Sequence, residues 1–401
     1  IFRGKNLFYS VGGSTGQPLC LRTLAEKLSG GKGPLFPATY LILCQLKNKR
    51  GRLKAVDDKT DIKRPLTGLG VAERTPQEPE KKDTHPTVID YDADDYDYRN
   101  FWKGRDYEQW AERRVLTRLF NRVEQTPWLV DFGCGFGRNV VHYCQHAEHA
   151  VLIDYSLRNL ENAASRLAKG IESGHIFLMR ADLYRLPFVD DAFDTGLIVR
   201  VLHHLSQVDE ALVEMGRTVG SQWILDVPVK HHIFARVRGL FRGETRRLSN
   251  WEPKSLGTAG GPFVNFHLAA VRHTLGEHGW DSNLVASVNN FRRWDKVLPS
   301  PATTALRPLV YGLETVAQSM GRGWWGPSQF LWATRRESVP PQPAAGVAPI
   351  ALANTPWALL ATKMFCPECH STLQWTADAA SCTSCTQHYS RAGAIWNFVP
   401  D

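Results

Sequence analysis

Residues Val130 to Arg138 read Val-Asp-Phe-Gly-Cys-Gly-Phe-Gly-Arg, an apolar run that breaks into three glycines at alternate positions. Glycine adopts backbone conformations closed to other residues, so a ligand can approach the main chain closely there. Two acids stand at the ends of later apolar runs: Asp154 after Ala150–Ile153, and Asp182 after Phe177–Ala181. A carboxylate so placed can accept two hydrogen bonds from a ribose-like diol. Far downstream, Cys366-Pro-Glu-Cys369 and Cys382-Thr-Ser-Cys385 form the pattern C-x2-C-x12-C-x2-C. Four thiolates at that spacing suit a tetrahedral structural zinc ion.

These groups need elements to hold them. Apolar runs at Val130–Phe132, Ala150–Ile153, Phe177–Ala181, Gly196–Val199 and Trp223–Pro228 alternate with segments of helical character, the pattern of an α/β protein with a parallel sheet. A helix is expected from Asn139 to Cys144, its N-terminal N–H groups facing any anion on the glycine loop. The loop is not the dinucleotide fingerprint G-x-G-x-x-G, which would place its third glycine at 138, where Arg138 stands. Trp110, Val115, Leu116, Leu119 and Phe120 fall at helical spacing. So do Ile233, Phe234, Val237, Leu240 and Phe241, with Arg236, Arg238 and Arg242 between them. That basic amphipathic helix either packs its apolar face on the core, caps an acidic or lipid-like acceptor, or touches a membrane surface. Phe266–Gly279 reads as a helix, and Asn283–Val288 and Ser328–Thr334 as the last two strands.

The ordered motifs Val130–Arg138, Val151–Ser156, Ala181–Phe188, Asp191–Asp194 and Val201–Leu205 resemble those of the class I (Rossmann-like) S-adenosylmethionine-dependent methyltransferases. They are most similar to the group containing the ubiquinone and menaquinone C-methyltransferases. The resemblance covers about residues 90–336 and implies a seven-stranded Rossmann-like sheet with helices on both faces. It implies that Asp131, Phe132 and the Gly133, Gly135 and Gly137 backbone hold the methionine end of S-adenosylmethionine. It implies that Asp154 and Tyr155 hold the ribose side, that Asp182 and Leu183 read the adenine edge, and that Arg200 lies near the methionine end, where Arg is not the usual residue. His203 and His204 are read either as a general base, imidazole titrating near neutrality, or as packing for the following helix. The residues around the four cysteines, Leu373, Tyr389, Gly393, Ile395 and Phe398, resemble the zinc ribbon of the small activator subunit of tRNA and release-factor methyltransferases, with Thr386 in place of the usual glycine. The resemblance implies a closed site of Cys366, Cys369, Cys382 and Cys385 around structural zinc.

Composition limits the partners. Net charge is +8, but residues 1–85 hold 16 Lys/Arg against 8 Asp/Glu, whereas residues 86–401 hold 32 of each. The region with the site motifs therefore lacks the basic footprint of a nucleic-acid binder. The remaining four cysteines are scattered, which argues against a secreted disulfide framework and for the cytoplasm. The expected organisation is a loosely ordered extension over 1–86, a methyltransferase domain over 87–336, a Pro/Ala-rich linker over 337–362 and a zinc ribbon over 363–401. The expected activity is O- or C-methylation of a small-molecule or lipid-like acceptor. Two alternatives stay open: an RNA or protein methyltransferase docking its substrate through the ribbon, and a non-catalytic cofactor-binding or interaction protein.

Overall fold

A computed structural model of the chain describes Asp92 and residues 98–258, 261–294, 300–337, 349–353 and 355–399. The extension expected over 1–86, most of the acidic, tyrosine-rich run Asp90–Tyr98 and residues 338–348 of the expected linker lie outside the described residues.

Helix α1 (Asp106–Phe120) precedes the sheet. Strand β1 (Thr126–Phe132), the single turn α2 (Val140–Tyr143), β2 (Ala147–Asp154), α3 (Leu157–Glu172), β3 (Ile176–Arg180), β4 (Phe193–Ile198), α4 (Val208–Arg217) and β5 (Val219–Pro228) follow. An inserted segment holds α5 (Ile233–Arg242), α6 (Thr245–Ser249) and a hairpin of β6 (Lys254–Thr258) and β7 (Gly261–Asn265). Helix α7 (Leu268–Glu277), β8 (Trp280–Val288), α8 (Ser300–Met320) and β9 (Ser328–Arg335) complete the core fold.

Seven strands lie in the order β3-β2-β1-β4-β5-β9-β8. The first five are parallel; β9 runs antiparallel to both β5 and β8. Alternate side chains feed two cores. Val130, Phe132, Val151, Ile153, Phe177 and Met179 pack with residues of α4 and α7 on one face. Leu129, Ala150, Leu152, Ile176 and Leu178 pack with residues of α1 and α3 on the other. Strands apolar on both faces, as here, belong to sheets covered on both sides. The expected helix at Asn139–Cys144 is only one turn, so it provides no extended N-terminus for an anion; the OH of Tyr143 instead donates to Asp131 Oδ2 at 2.8 Å.

The C-terminal segment is not a separate appendage. Its helix α9 (Trp357–Ala361) and strands β10 (Leu373–Trp375), β11 (Ala379–Cys382), β12 (His388–Ala392) and β13 (Ile395–Asn397) extend the same sheet to eleven strands, because β13 pairs in parallel with β3. Ile395, Trp396 and Asn397 stand opposite Leu178, Met179 and Arg180. A bare β3 would present unpaired backbone donors and acceptors at the sheet edge. Trp396 is fully buried, edge-on to Trp375 at 5.1 Å and to Trp357 at 6.0 Å, and Trp357 meets Phe177 at 4.9 Å. Leu352, Trp357 and Leu360, inside the expected linker, thus belong to the sheet's own core.

Candidate cofactor site and four-thiol cluster

The glycine loop leaves β1 with Gly133, Gly135 and Gly137 at φ of 67°, 57° and 69°. A Cβ on Gly133 would fall 2.2 Å from Val201 Cγ2, and one on Gly135 would fall 3.2 Å from the Tyr98 ring. Backbone shape and close approach both require glycine at these two positions. Gly137 serves packing: its missing Cβ leaves room for Leu167 of α3, 2.6 Å away.

The loop borders a cavity at the carboxyl ends of β1, β2 and β4. Gly133, Gly135, Asp154, Tyr155, Asp182, Leu183, Arg200 and His204 line it, together with Tyr98, Ser156, Asn159, Tyr184, Val199, Val201 and Leu205. Asp131, Phe132, Gly137 and His203 do not. Asp154 is the junction of this site. Its Oδ2 accepts from the Gly135 N–H at 2.8 Å, and its Oδ1 accepts from the Ser156 N–H at 3.0 Å and from Asn159 Nδ2 at 3.2 Å. Burial pushes this carboxyl above its ordinary range despite those donors. Asp182 Oδ1 accepts from the Tyr184 N–H at 3.0 Å. Asp131, behind the loop, keeps its Oδ1 buried without a protein partner, and burial raises its carboxyl to about 7.

Four expectations need correction. Phe132 is fully buried with its ring edge-on to Trp223 at 6.1 Å, so its side chain is core. Arg200 reaches the cavity wall, but its guanidinium turns to α1: Nε donates to Glu112 at 2.7 Å and Nη2 to Glu108 at 3.4 Å. Arg138 also bonds Glu112, while Arg105 and Arg292 bond Glu108 at 3.0 and 3.2 Å. Burial works against the Glu112 carboxylate, but Arg138 and Arg200 outweigh it and hold its pKa below the ordinary range. His203 and His204 are read from sequence as a general base or as packing for the following helix; both pack on an inserted hairpin. Both rings lie 4.9 Å from Phe263 of the β6–β7 hairpin, His203 nearly parallel to it. Burial depresses both imidazoles, His204 to about 4, so they stay neutral at physiological pH. In the acidic run, Asp92 braces a helix: it accepts from Ser156 Oγ at 2.6 Å and from the Leu157 N–H at 2.7 Å, at the N-terminus of α3, where the helix dipole favours an anion.

Sequence reasoning missed Tyr98, Glu108, Glu112, Asp226 and Phe263. Asp226, at the end of β5, accepts from Ser328 Oγ and from the Arg200 N–H, and burial lifts its carboxyl to about 6. The only available signal was Glu108 and Glu112 one helical turn apart on a face that otherwise reads as core.

Residues 130–222 match the family model for a methyltransferase domain. The central sheet has the α/β Rossmann-like fold of a methyltransferase domain. A methyltransferase-named protein of Encephalitozoon cuniculi is 36% identical over 109 residues, 26% of this chain and 46% of that protein. An O-methyltransferase of Aspergillus nomiae is 28% identical over 112 residues, 27% of this chain and 50% of that protein. The chain thus spans about half the length of the curated relatives it matches. Among solved structures, magnesium protoporphyrin IX methyltransferase from Synechocystis with bound S-adenosylhomocysteine is 14% identical, with a TM-score of 0.39 over 59% of this chain and 92% of that one.

Beside the methyltransferase domain's β3 edge, the Sγ atoms of Cys366, Cys369, Cys382 and Cys385 lie within 4.8 Å of one another. The separations Cys366–Cys385, Cys369–Cys382 and Cys369–Cys385 are 3.6, 3.3 and 3.6 Å. Zinc–sulfur bonds of about 2.3 Å in a tetrahedron put the sulfurs about 3.8 Å apart. The Ser384 and Cys385 N–H groups donate to Cys382 Sγ at 3.3 and 3.4 Å, the geometry of a knuckle that favours thiolate. The donor set is compatible with structural zinc. Metal analysis of the purified protein should find about one zinc per chain, and Cys369→Ser should lose it. A metal-free wild-type chain with the ribbon folded would contradict this.

Proposed function

We propose that this protein transfers a methyl group from S-adenosylmethionine to oxygen or carbon of a small-molecule or lipid-like acceptor. The observation that carries the reading is the convergence of the glycine loop, Asp154 and Asp182 on one cavity at the strand ends. The residues fit that cofactor. Asp131 Oδ1, buried behind the glycine loop, is an acceptor that no protein donor uses, suited to an ammonium held on that loop. Asp154 retains a lone pair for a ribose hydroxyl beyond its three protein donors. Asp182 and Leu183 provide an acceptor and an amide for the adenine edge, and Tyr155 flanks them.

When bound, the cofactor supplies a methyl already activated on sulfonium. The chain's own work is to hold donor and acceptor in line, which is worth roughly 7–11 kcal/mol of barrier. Tyr98 closes over Gly135 and narrows access for water. His204, neutral and on the cavity wall, is placed to hydrogen-bond an acceptor hydroxyl and orient it, burial leaving it a weak base. His203, stacked on Phe263, lies against His204 with ring centroids 3.9 Å apart and helps to fix its place. The Glu108–Glu112–arginine cluster fixes α1 against the loop that carries Arg200.

In this reading residues 87–336 are the catalytic unit of a ubiquinone- and menaquinone-type methyltransferase, and the C-terminal segment is an activator-type zinc ribbon fused in cis. In the same reading the protein is cytoplasmic. No helix among the described residues is long and apolar enough to cross a membrane. Calorimetric titration should find S-adenosylmethionine binding, and labelled methyl donor with cell extract should mark the lipid and small-molecule fraction. Absence of binding would remove the reading; label confined to RNA or protein would move it to a macromolecular acceptor.

A further inference from the structure

Helix α8 carries an apolar stripe that faces solvent. Leu306, Leu309, Leu313, Val316 and Met320 follow at alternating steps of three and four, which places them on one side of a helix. They are 38, 57, 41, 54 and 73% exposed. Another side of α8 does the packing. Glu314 and Gln318 are buried; Glu314 accepts from the Tyr107 hydroxyl at 2.6 Å, and Gln318 Nε2 donates to the Ala111 carbonyl at 2.9 Å. The stripe is therefore not what seats the helix.

The stripe continues beyond α8. Trp324, 43% exposed, donates through Nε1 to the Met320 carbonyl at 3.1 Å, and its own carbonyl accepts from the Ile233 N–H at 2.6 Å. Ile233 begins α5, whose outer end leaves Leu240 and Phe241 70 and 73% exposed. Packing on the core therefore accounts for Ala235 and Gly239 of that helix but not for its two largest outer apolar residues. The charges on these elements have one sign. Helix α5 bears Arg236, Arg238 and Arg242 and no acid; α8 bears Arg307 outward and only the buried Glu314. Exposed Arg293 precedes α8 and Arg322 follows it.

We infer that α5 and α8 together dock this protein on an anionic lipid surface. Apolar side chains at the acyl boundary with guanidinium groups among the headgroup phosphates is the arrangement such helices use. A second copy of the chain suits the surface less well. A two-fold contact through this face would set the α5 arginines against their own copies. Docking here stands independently of methyl transfer. Its use, bringing a lipid-like acceptor to the cavity at the strand ends, rests on the proposed function.

The test is flotation of the full chain with phosphatidylcholine vesicles, with and without phosphatidylglycerol. The protein should float only with the anionic vesicles and be released by salt. Leu309→Glu with Leu313→Glu should weaken binding by at least about tenfold. Arg238→Glu with Arg242→Glu should weaken it by about 30-fold or more. Both variants should keep wild-type thermal unfolding and cofactor affinity. No flotation on anionic vesicles, or flotation that Leu309→Glu with Leu313→Glu leaves intact, overturns the inference. So does a dimer by light scattering that the same pair of substitutions dissociates. Cofactor titration is scored separately, so failure of the proposed chemistry leaves the docking result readable.

Discussion

Trp396→Ala should destabilise the whole methyltransferase sheet, by about 3–5 kcal/mol. The side chain is fully buried, and its neighbours Trp357, Trp375 and Phe398 surround a volume that alanine leaves empty. The loss should reach the cofactor site. β13 supplies backbone partners to β3, and the Phe398 N–H donates to the Arg180 carbonyl at 2.8 Å. Arg180 Nε in turn donates to the Tyr155 carbonyl at 2.9 Å, and Asp182 lies two residues beyond β3. Denaturant unfolding should show one cooperative transition moved to lower concentration. Amide exchange should speed up at Leu178 to Arg180, and S-adenosylmethionine affinity should fall. A variant in which the ribbon alone melts while β3 keeps full protection would separate the two parts and refute the shared core.

That shared core was the least legible part of the molecule. Ile395-Trp-Asn397 is three residues long, and a strand that short names no partner; only burial of Trp396 against Trp357 and Phe177 decides it. Helix α8 was hidden for a different reason. Thr303, Thr304, Pro308 and Gly312 all lower helix propensity, and the helix forms because Glu314 and Gln318 dock on α1 and the chain after β8. The central strands were plain, since apolar runs covered on both faces leave one reading, and β8 and β9 formed over the segments read as the last two strands.

At the site, backbone-dictated features were legible and side-chain partnerships were not. The alternate glycines follow from the required shape of one loop. Asp154 and Asp182 follow from strand ends. Arg200 was misplaced because its partners, Glu108 and Glu112, sit some 90 residues earlier on α1, where nothing local marks them. The histidines were left between two readings because their neighbour Phe263 arrives from an insertion with no register to the sheet. Each of these contacts bridges elements distant in sequence, and a lone sequence carries no record of such pairs.

Gly135→Val should cut S-adenosylmethionine affinity by about two to three orders of magnitude while the chain stays folded. A steric cost adds to one of two alternative backbone costs. The left-handed backbone at φ 57° disfavours any residue with a Cβ by roughly 1–2 kcal/mol, and a β-branched side chain fits it worst. The new Cβ would stand 3.2 Å from the Tyr98 ring, so Tyr98 or the loop must move. Relief by a changed φ would draw the Gly135 N–H from Asp154 Oδ2, now 2.8 Å away, and an unsatisfied buried acceptor costs about 1–3 kcal/mol. At about 1.4 kcal/mol per factor of ten, these terms reach the stated loss. Calorimetry on the variant checks the magnitude, and circular dichroism checks the fold. Adding Tyr98→Ala should restore part of the affinity, because it removes the steric share and leaves the backbone share. Wild-type affinity in Gly135→Val would mean that the ligand does not sit against this loop.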